Sequence, residues 1–222
     1  CRCQCLVHLQ QVQEAKESVD RVLRLRRHFV PALMLRIKLA RDLTEDFDAE
    51  PLLRRVLKIE PQRARAQYWL AELLLEGDGS VQDQQEALAL LDQCIAATPM
   101  LLRARLLRAD YHWNHYYEAL QQEHGAAQQA PELAATPGST AQATLEAALA
   151  DYAWVSAHAQ SHYATLRAAK ALVRLQRDSE ALVYLDLLMA QLPESQPLRH
   201  TVVQLHKRVT KRIADPTSPA QV

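Results

Sequence analysis

Residues 64–99 read ARAQYWLAELLLEGDGSVQDQQEALALLDQCIAATP, and this stretch predicts two amphipathic helices joined by a turn. Gly77 and Gly79 interrupt the chain between the halves, and Pro99 ends the second helix. Because one such pair cannot bury both of its apolar faces, it requires similar neighbours. Small or apolar residues recur at steps of three and four in each half, as expected for one face of a helix: Ala66, Trp69, Leu70, Leu73 and Leu74, then Ala87, Leu88, Leu91, Cys94 and Ile95.

The neighbours become visible when the chain is compared with itself. Small residues recur at intervals of 34, 38, 61 and 33 residues, most of them near 34: Ala15, Ala49, Ala87, Ala148 and Ala181. Three prolines each lie 12 residues after one of these alanines: Pro61, Pro99 and Pro193. A shared spacing of alanine and proline predicts a series of repeated helix pairs.

These features resemble the tetratricopeptide repeat (TPR) family, whose unit is a helix pair of about 34 residues with a closing proline. The resemblance covers about residues 1–193. The unit 64–99 is longer and carries a G-x-G turn, so it is similar to the Sel-one-like variant. The resemblance implies an all-α fold, a right-handed TPR-like α-solenoid of antiparallel helix pairs with a C-terminal capping helix.

The predicted organisation is one helical repeat domain, 1–213, followed by a disordered C-terminal tail, 214–222. The chain starts inside a repeat, so we expect an array truncated at its N-terminus, whereas the tail resembles a true C-terminus. Within the domain, a low-complexity loop is predicted at about 121–140. Helices are predicted at 1–9, 13–27, 31–43, 47–59, 64–76, 82–97, 101–120 and 140–158.

The last clear unit, HYATLRAAKALVRL followed by DSEALVYLDLLMAQLP, suggests that Asp178 caps its second helix. Pro197 begins a final helix with a narrow apolar stripe: Leu198, Val202, Leu205 and Val209. The opposite face is predicted to be charged: Arg199, Lys207, Arg208, Lys211 and Arg212. One apolar side and one charged side are what a terminal cap requires.

Composition argues against several classes of protein. The 26 Lys and Arg residues balance 26 Asp and Glu residues, and this zero net charge disfavours a globally basic nucleic-acid binder. No stretch of eighteen apolar residues and no signal peptide is recognisable, so no membrane association is expected. Four cysteines without a paired framework favour a reducing, cytoplasmic compartment.

Motifs for catalysis or metal binding are weak. On a helix Cys1, Cys5 and His8 would share a face and could offer zinc three ligands, but cysteine is also an ordinary small core residue. Two histidine pairs lack a completing carboxylate or Cys: His112 with His115, and His158 with His162. HExxH, G-x-S-x-G and a nucleotide-binding glycine loop are absent from the sequence. We therefore expect no enzyme activity, no cofactor and no metal.

The TPR resemblance implies that uncommitted residues of each first helix line a concave inner face. Carried over to this sequence, they are Met34, Lys38, Arg41, Arg65, Tyr68, Glu72, Arg103, Asp110, Trp113, Lys170 and Arg174. Arginine forks and aromatic rings would suit an acidic or C-terminal peptide. The carboxylate-gripping mode of the heat-shock chaperone TPR domains is disfavoured, because Met34 and Lys38 stand where that family has Lys and Asn.

The function that the sequence predicts is a non-enzymatic protein–protein interaction scaffold or adaptor within a larger multi-protein assembly. Its partner is expected to be a protein or peptide segment, with an acidic one favoured. The alternative is an RNA-associated helical-repeat protein that uses the basic helices at 19–27 and 198–212. Nucleic acid is the less favoured partner, because the units repeat no polar residue consistently.

Overall fold

The computed structural model describes residues 2–43, 47–76, 80–129 and 140–215, of which 2–12 and 124–129 are described as backbone only. Within these ranges the chain forms ten helices and no strand. The chain consists of two compact units, residues 1–104 and 105–222. The helices are α1 (Arg2–Leu25), α2 (Val30–Asp42), α3 (Glu50–Ile59), α4 (Ala64–Glu76), α5 (Val81–Ala97), α6 (Leu102–Gln129), α7 (Thr140–His158), α8 (His162–Arg174), α9 (Asp178–Gln191) and α10 (Pro197–Ala214).

In the first unit, helices α1 to α5 pack in chain order, each against the next. The start of α4 lies beside the end of α5, because the Cys94 thiol donates to the Ala64 carbonyl at 3.2 Å. Gln67 confirms this arrangement by donating from Nε2 to Oε1 of Gln93 at 3.2 Å. The two helices therefore run antiparallel, as residues 64–99 predict.

The second unit repeats this arrangement, with α7 to α10 packed in chain order. Arg212 near the end of α10 binds Asp178 at the start of α9, and Arg199 in the first turn of α10 donates to the Met189 carbonyl at 2.8 Å. These contacts show that α9 and α10 are antiparallel. Val202 and Val209 are buried, so the predicted apolar stripe of the last helix is confirmed.

The alanine and proline frame is also confirmed. Four of the recurring alanines are buried: Ala49, Ala87, Ala148 and Ala181. Ala15 is half-buried and packs against a cluster that contains Val19. The prolines of the frame, Pro61, Pro99 and Pro193, each lie two residues after the end of a helix, α3, α5 and α9 respectively. Small side chains thus lie at close contacts between helices. The prolines lie just after the ends of helices, where a residue that cannot continue the helix is tolerated.

Two predicted helix boundaries are wrong. The pair at 1–9 and 13–27 is one continuous helix, α1, because residues 10–12 contain neither Gly nor Pro to break it. Helix α6 continues to Gln129, nine residues past the predicted end at Leu120. Its last residues, QQEHGAAQQ, are rich in good helix formers, so the lack of apolar residues does not end the helix.

The predicted loop at 121–140 is therefore shorter than expected at its N-terminal end. The carboxylate of Glu123 accepts a hydrogen bond at 3.0 Å from the backbone N–H of Ala141, so this residue caps the first turn of α7. The remainder of the predicted loop lies outside the described residues, as do the turn around Gly77 and Gly79 and most of the predicted tail. A single repeat domain over 1–213 stays a prediction.

Asp178 does not cap α9, because it is already the first helical residue and the N-cap position belongs to Arg177. Its carboxylate instead binds the Arg212 guanidinium. Two members of the predicted charged face of α10, Arg199 and Arg212, therefore point at neighbouring helices. Lys207, Arg208 and Lys211 do lie exposed, as predicted.

The connection between α8 and α9 contains a residue in the left-handed region. Gln176 has φ 59°, and the N–H of Arg177 donates to the Leu172 carbonyl at 2.9 Å. These are the features of a Schellman motif, in which glycine is the usual residue at this position because it has no Cβ to clash. Gln176 therefore holds a conformation that costs about 1 kcal/mol relative to glycine.

Ala87 has no exposed surface and allows α5 its close helix contact. We expect Ala87→Arg to lower the free energy of unfolding by about 3 kcal/mol or more, because it forces a charge and extra volume into that contact. Urea denaturation followed by circular dichroism measures the change. The matched control is Ala89→Arg on the exposed face of the same helix, and equal stability of the two variants would contradict the alanine frame.

At the α8–α9 turn, Gln176→Gly should raise the free energy of unfolding by about 0.5 to 1 kcal/mol, because glycine accepts positive φ without a steric penalty. Gln176→Val should lower it, since a β-branched side chain fits this region worst. Thermal melts of both variants beside the parent measure the shifts. A valine variant as stable as the glycine variant would show that the turn does not hold positive φ in solution.

Candidate binding site

Three cationic residues lie on one side of α8 in the second unit, at steps of three and four: Arg167, Lys170 and Arg174. Three aromatic rings surround them, Trp113 and Tyr117 from α6 and Tyr163 from the first turn of α8. We call these six residues the α8 basic face. Two packed helices position it, and its members all lie in the second unit.

The two guanidinium groups are held by aromatic rings. Arg167 lies 4.8 Å from the ring centre of Trp113 and 5.2 Å from that of Tyr163, whose hydroxyl accepts from Arg167 Nε at 3.1 Å. Arg174 lies 4.9 Å from the centre of Trp113 and 5.3 Å from that of Tyr117, and it donates to the Tyr117 hydroxyl. These cation–π contacts orient both arginines before any ligand arrives.

The rings differ in accessibility. Trp113 is buried, with 5% of its surface exposed, whereas Tyr117 is 40% and Tyr163 is 45% exposed. The buried Trp113 ring therefore contacts both arginines from the protein interior, and the two exposed tyrosines lie beside them at the surface. Edge-to-face contacts join Trp113 to Tyr117 and to Tyr152 of α7, which fixes the buried ring.

Lys170 lies between the two arginines and is half-buried. Burial, together with the neighbouring charges of Arg167 and Arg174, lowers the pKa of its ammonium group below the ordinary value. Among the described residues, the structure gives this ammonium no hydrogen bond and no ion pair. Within the described part of the chain, Lys170 is therefore a cation with no paired carboxylate.

The Asp110 carboxylate is linked to this face, because it accepts hydrogen bonds from two tyrosine hydroxyls, Tyr152 at 2.5 Å and Tyr163 at 2.6 Å. Burial raises the pKa of both phenols, and the hydrogen bond to Asp110 raises it further. Both phenols therefore stay protonated donors at neutral pH. With three cations and one carboxylate, the site has a net positive charge.

A buried ion-pair network joins α6 to α7 in the same unit. The Asp151 carboxylate is buried and accepts from Arg108 at 2.7 and 2.8 Å and from Arg105 at 3.2 Å. Arg105 also stacks on Trp154 of α7 at 3.9 Å. Sequence reasoning missed this network, because the pairing of residues more than 40 positions apart depends on the register of the two helices.

In the first unit, three predicted site residues form a compact polar cluster. Glu72 binds the Arg41 guanidinium and accepts from the Tyr68 hydroxyl at 2.5 Å. Burial and this bond to Glu72 raise the pKa of Tyr68, an effect that the nearby charges of Arg103 and Arg41 oppose. The charge of Arg41 is therefore already compensated, unlike the charges of the α8 basic face.

The other predicted residues are placed less favourably. Arg65 lies 5.9 Å from the ring centre of Trp69, which also contacts Arg41 at 5.5 Å. Lys38 is exposed. Met34, Tyr68 and Trp113 are 7%, 8% and 5% exposed, so the expectation that these three lie clear of the packing is wrong. Their large apolar side chains are drawn into contact with the neighbouring helices.

Sequence reasoning missed three members of the basic face: Arg167, Tyr117 and Tyr163. A signal for two of them was present, because Arg167 precedes the predicted Lys170 by three residues and Tyr117 follows the predicted Trp113 by four. Tyr163 is three or four residues from none of the predicted site residues, and its contact with Asp110 of α6 depends on tertiary packing.

The predicted metal motifs find no support in the described side chains. His115 stacks on Tyr111 with centroids 3.8 Å apart, and His158 stacks on Trp154 at 3.9 Å. Where side chains are described, no cluster of three or more His, Cys, Asp or Glu residues could hold a metal ion. The side chains of Cys1, Cys5 and His8 lie outside that part of the chain. Every helix within the described ranges is too short or too polar to cross a membrane.

Asp151→Ala should lower the free energy of unfolding by about 3 kcal/mol, because it removes the buried carboxylate that both Arg105 and Arg108 bind. Chemical denaturation measures the loss. Glu146→Ala removes an exposed carboxylate from the same helix and should change stability by about 0.5 kcal/mol or less. A similar small effect for Asp151→Ala would mean that the network does not hold α6 on α7.

No family model matches the sequence, and no curated protein matches it significantly. Solved structures do match. The MamA protein covers 97% of this chain over 91% of its own length, with 14% identity and a TM-score of 0.58. PilW, described as a widely conserved type IV pilus biogenesis factor, covers 96% over 90% of its own length, with 16% identity and a TM-score of 0.51. Both are TPR proteins, and at this low identity they show the fold alone. The chain therefore has the all-α helical-repeat fold of the TPR proteins.

Proposed function

We propose that this chain is a non-enzymatic protein-interaction module that binds an acidic segment of a partner protein on the α8 basic face. The observation that carries the proposal is the set of three cations on α8, in which the partners of Arg167 and Arg174 are rings and hydroxyls and Lys170 pairs with no carboxylate among the described residues. A structural role alone does not explain three adjacent cations that share one linked carboxylate, Asp110, within the described residues. An acidic partner would supply the missing counter-charges.

The geometry suits such a ligand. A guanidinium that stacks on a ring keeps N–H groups along its edge, where a carboxylate can accept them. The stacking also reduces the side-chain entropy that binding would otherwise remove. Tyr117 and Tyr163 add exposed aromatic surface beside the cations, and tyrosine and arginine are residue types that dominate interface energies. As in the sequence-based prediction, we propose that the module acts within a larger assembly in a reducing compartment.

The nucleic-acid alternative rests on the basic helices at 19–27 and 198–212. In the second of these, Arg199 is directed at backbone carbonyls and Arg212 is paired with Asp178, which leaves Lys207, Arg208 and Lys211 exposed. In the first, Arg24 and Arg27 are exposed and border a shallow pocket with Arg55 of α3. The described residues that line this pocket include no aromatic ring on which a base could stack, so the acidic-segment proposal is better supported.

The proposal is tested with a fluorescent peptide of repeated Glu and Gly and with a single-stranded RNA oligonucleotide as probes. Arg167→Glu with Arg174→Glu should weaken peptide binding by about tenfold or more, through like-charge repulsion. Lys207→Glu with Arg208→Glu makes the same charge change on the exposed side of α10 and should change peptide affinity by about twofold or less. Circular dichroism checks that both double variants keep their helices.

Two outcomes would contradict the proposal. One is equal peptide affinity for the α8 and α10 double variants, which would show that the basic face is not the site. The other is tight RNA binding with a steep dependence on salt in the absence of peptide binding. That result would favour the nucleic-acid alternative.

A further inference from the structure

We infer that the α8 basic face is a phosphate-binding site, which takes the phosphate monoester of a phosphorylated residue in the partner segment, with Lys170 as the central ligand. This inference rests on the proposed function, because it assumes that the face binds a partner protein. It goes further by naming the group that the partner presents.

The spacing of the donors supports this ligand. Arg167 and Arg174 are seven residues apart on one helix, which places their Cα atoms about 10 Å apart along the axis, with Lys170 between them. Arg167 uses Nε and Arg174 uses one Nη atom to bind tyrosine hydroxyls. Their remaining guanidinium N–H groups and the three N–H donors of Lys170 are the donors that this side of α8 can offer to an anion.

The charge balance favours a dianion over a single carboxylate. Three cations face one carboxylate, Asp110, and that carboxylate is already engaged by the hydroxyls of Tyr152 and Tyr163. A phosphate monoester has close to two negative charges at neutral pH and three acceptor oxygens. It therefore matches the excess of two positive charges, whereas a Glu or Asp side chain compensates only one of them.

The first unit shows what a structural arginine looks like in this fold. Arg41 stacks on Trp69 at 5.5 Å, and its charge is compensated by Glu72. Arg167 and Arg174 have the same kind of aromatic support, but the acceptors that the structure records for them are neutral hydroxyls. The difference between the two sites is the missing anion, which we assign to the ligand.

The position of Lys170 also has a cost for the free protein. Burial and the two adjacent arginines lower the pKa of its ammonium, so the folded chain holds this proton less tightly than the unfolded chain does. Stability should therefore rise with pH between the folded pKa and the ordinary lysine value, and at neutral pH the charged ammonium disfavours folding. A charge kept at the expense of stability is typical of a binding site.

Because the charged ammonium of Lys170 disfavours folding, replacing this residue tests binding without a loss of stability. Lys170→Met removes the charge and fills the same half-buried space, so its melting temperature should equal or exceed that of the parent. The matched control, Lys207→Met, removes an exposed lysine from α10 and should leave both melting temperature and binding unchanged.

The experiment is isothermal titration of the full chain with three capped glycine peptides whose central residue is phosphoserine, glutamate or serine. We expect the phosphoserine peptide to bind about tenfold tighter than the glutamate peptide and the serine peptide not to bind. Lys170→Met should remove most of the preference for phosphoserine over glutamate, and Lys207→Met should preserve it. Inorganic phosphate serves as a fourth probe, and we expect it to bind more weakly than the phosphoserine peptide.

The outcomes separate the two proposals. Equal affinity for the phosphoserine and glutamate peptides, with loss of both in Arg167→Glu with Arg174→Glu, would overturn the phosphate inference and leave the acidic-segment function standing. Inorganic phosphate binding as tightly as the phosphoserine peptide would overturn the assignment to a partner segment. Binding of none of the probes would overturn both proposals.

Discussion

The close contact between helices at buried alanines is the constraint on which both units depend. Ala87 and Ala181 have no exposed surface, so the helix backbones at these positions approach more closely than larger side chains would permit. Each helix then needs a neighbour on both sides, because it has apolar surface facing two directions. The helices therefore pack in chain order, and the faces left over from packing are fixed in orientation.

Arginine has two distinct roles on those leftover faces. Arg54 of α3 binds Glu50 and Glu86, and Arg108 binds the buried Asp151, so both arginines join helices through compensated charge. Arg167 and Arg174 instead stack on rings and bind hydroxyls. The same residue type thus joins helices where it pairs directly with a carboxylate, and we propose that it binds a ligand where its partners are rings and hydroxyls. This distinction depends on tertiary neighbours and is the basis on which we separate the two candidate sites.

Local signals in the sequence were sufficient to predict most of the helices, but they were insufficient to predict which residues form the candidate site. Caps, chain breaks and apolar periodicity predicted α3, α4, α5 and α7 to within a few residues, since these are local properties of the sequence. The end of α6 was missed because a polar, Ala- and Gln-rich helix looks like a loop when apolar periodicity is the criterion. The burial of Met34 and Tyr68, and the meeting of Tyr163 with Asp110, depend on how helices distant in sequence pack, which no local pattern encodes.

Helix α9 is held at both of its ends by one helix. Arg199 of α10 binds the last carbonyls of α9, at Met189 and Leu192, while Arg212 binds Asp178 at its start and also donates to the Val173 carbonyl at the end of α8 at 3.1 Å. The ends of a helix are normally where it frays first. With both ends occupied, α9 cannot open turn by turn unless α10 leaves. Amide hydrogens in the terminal turns of α9 should consequently exchange with solvent together with those of α10. The two ends of α9 and the end of α8 would then open as one cooperative unit.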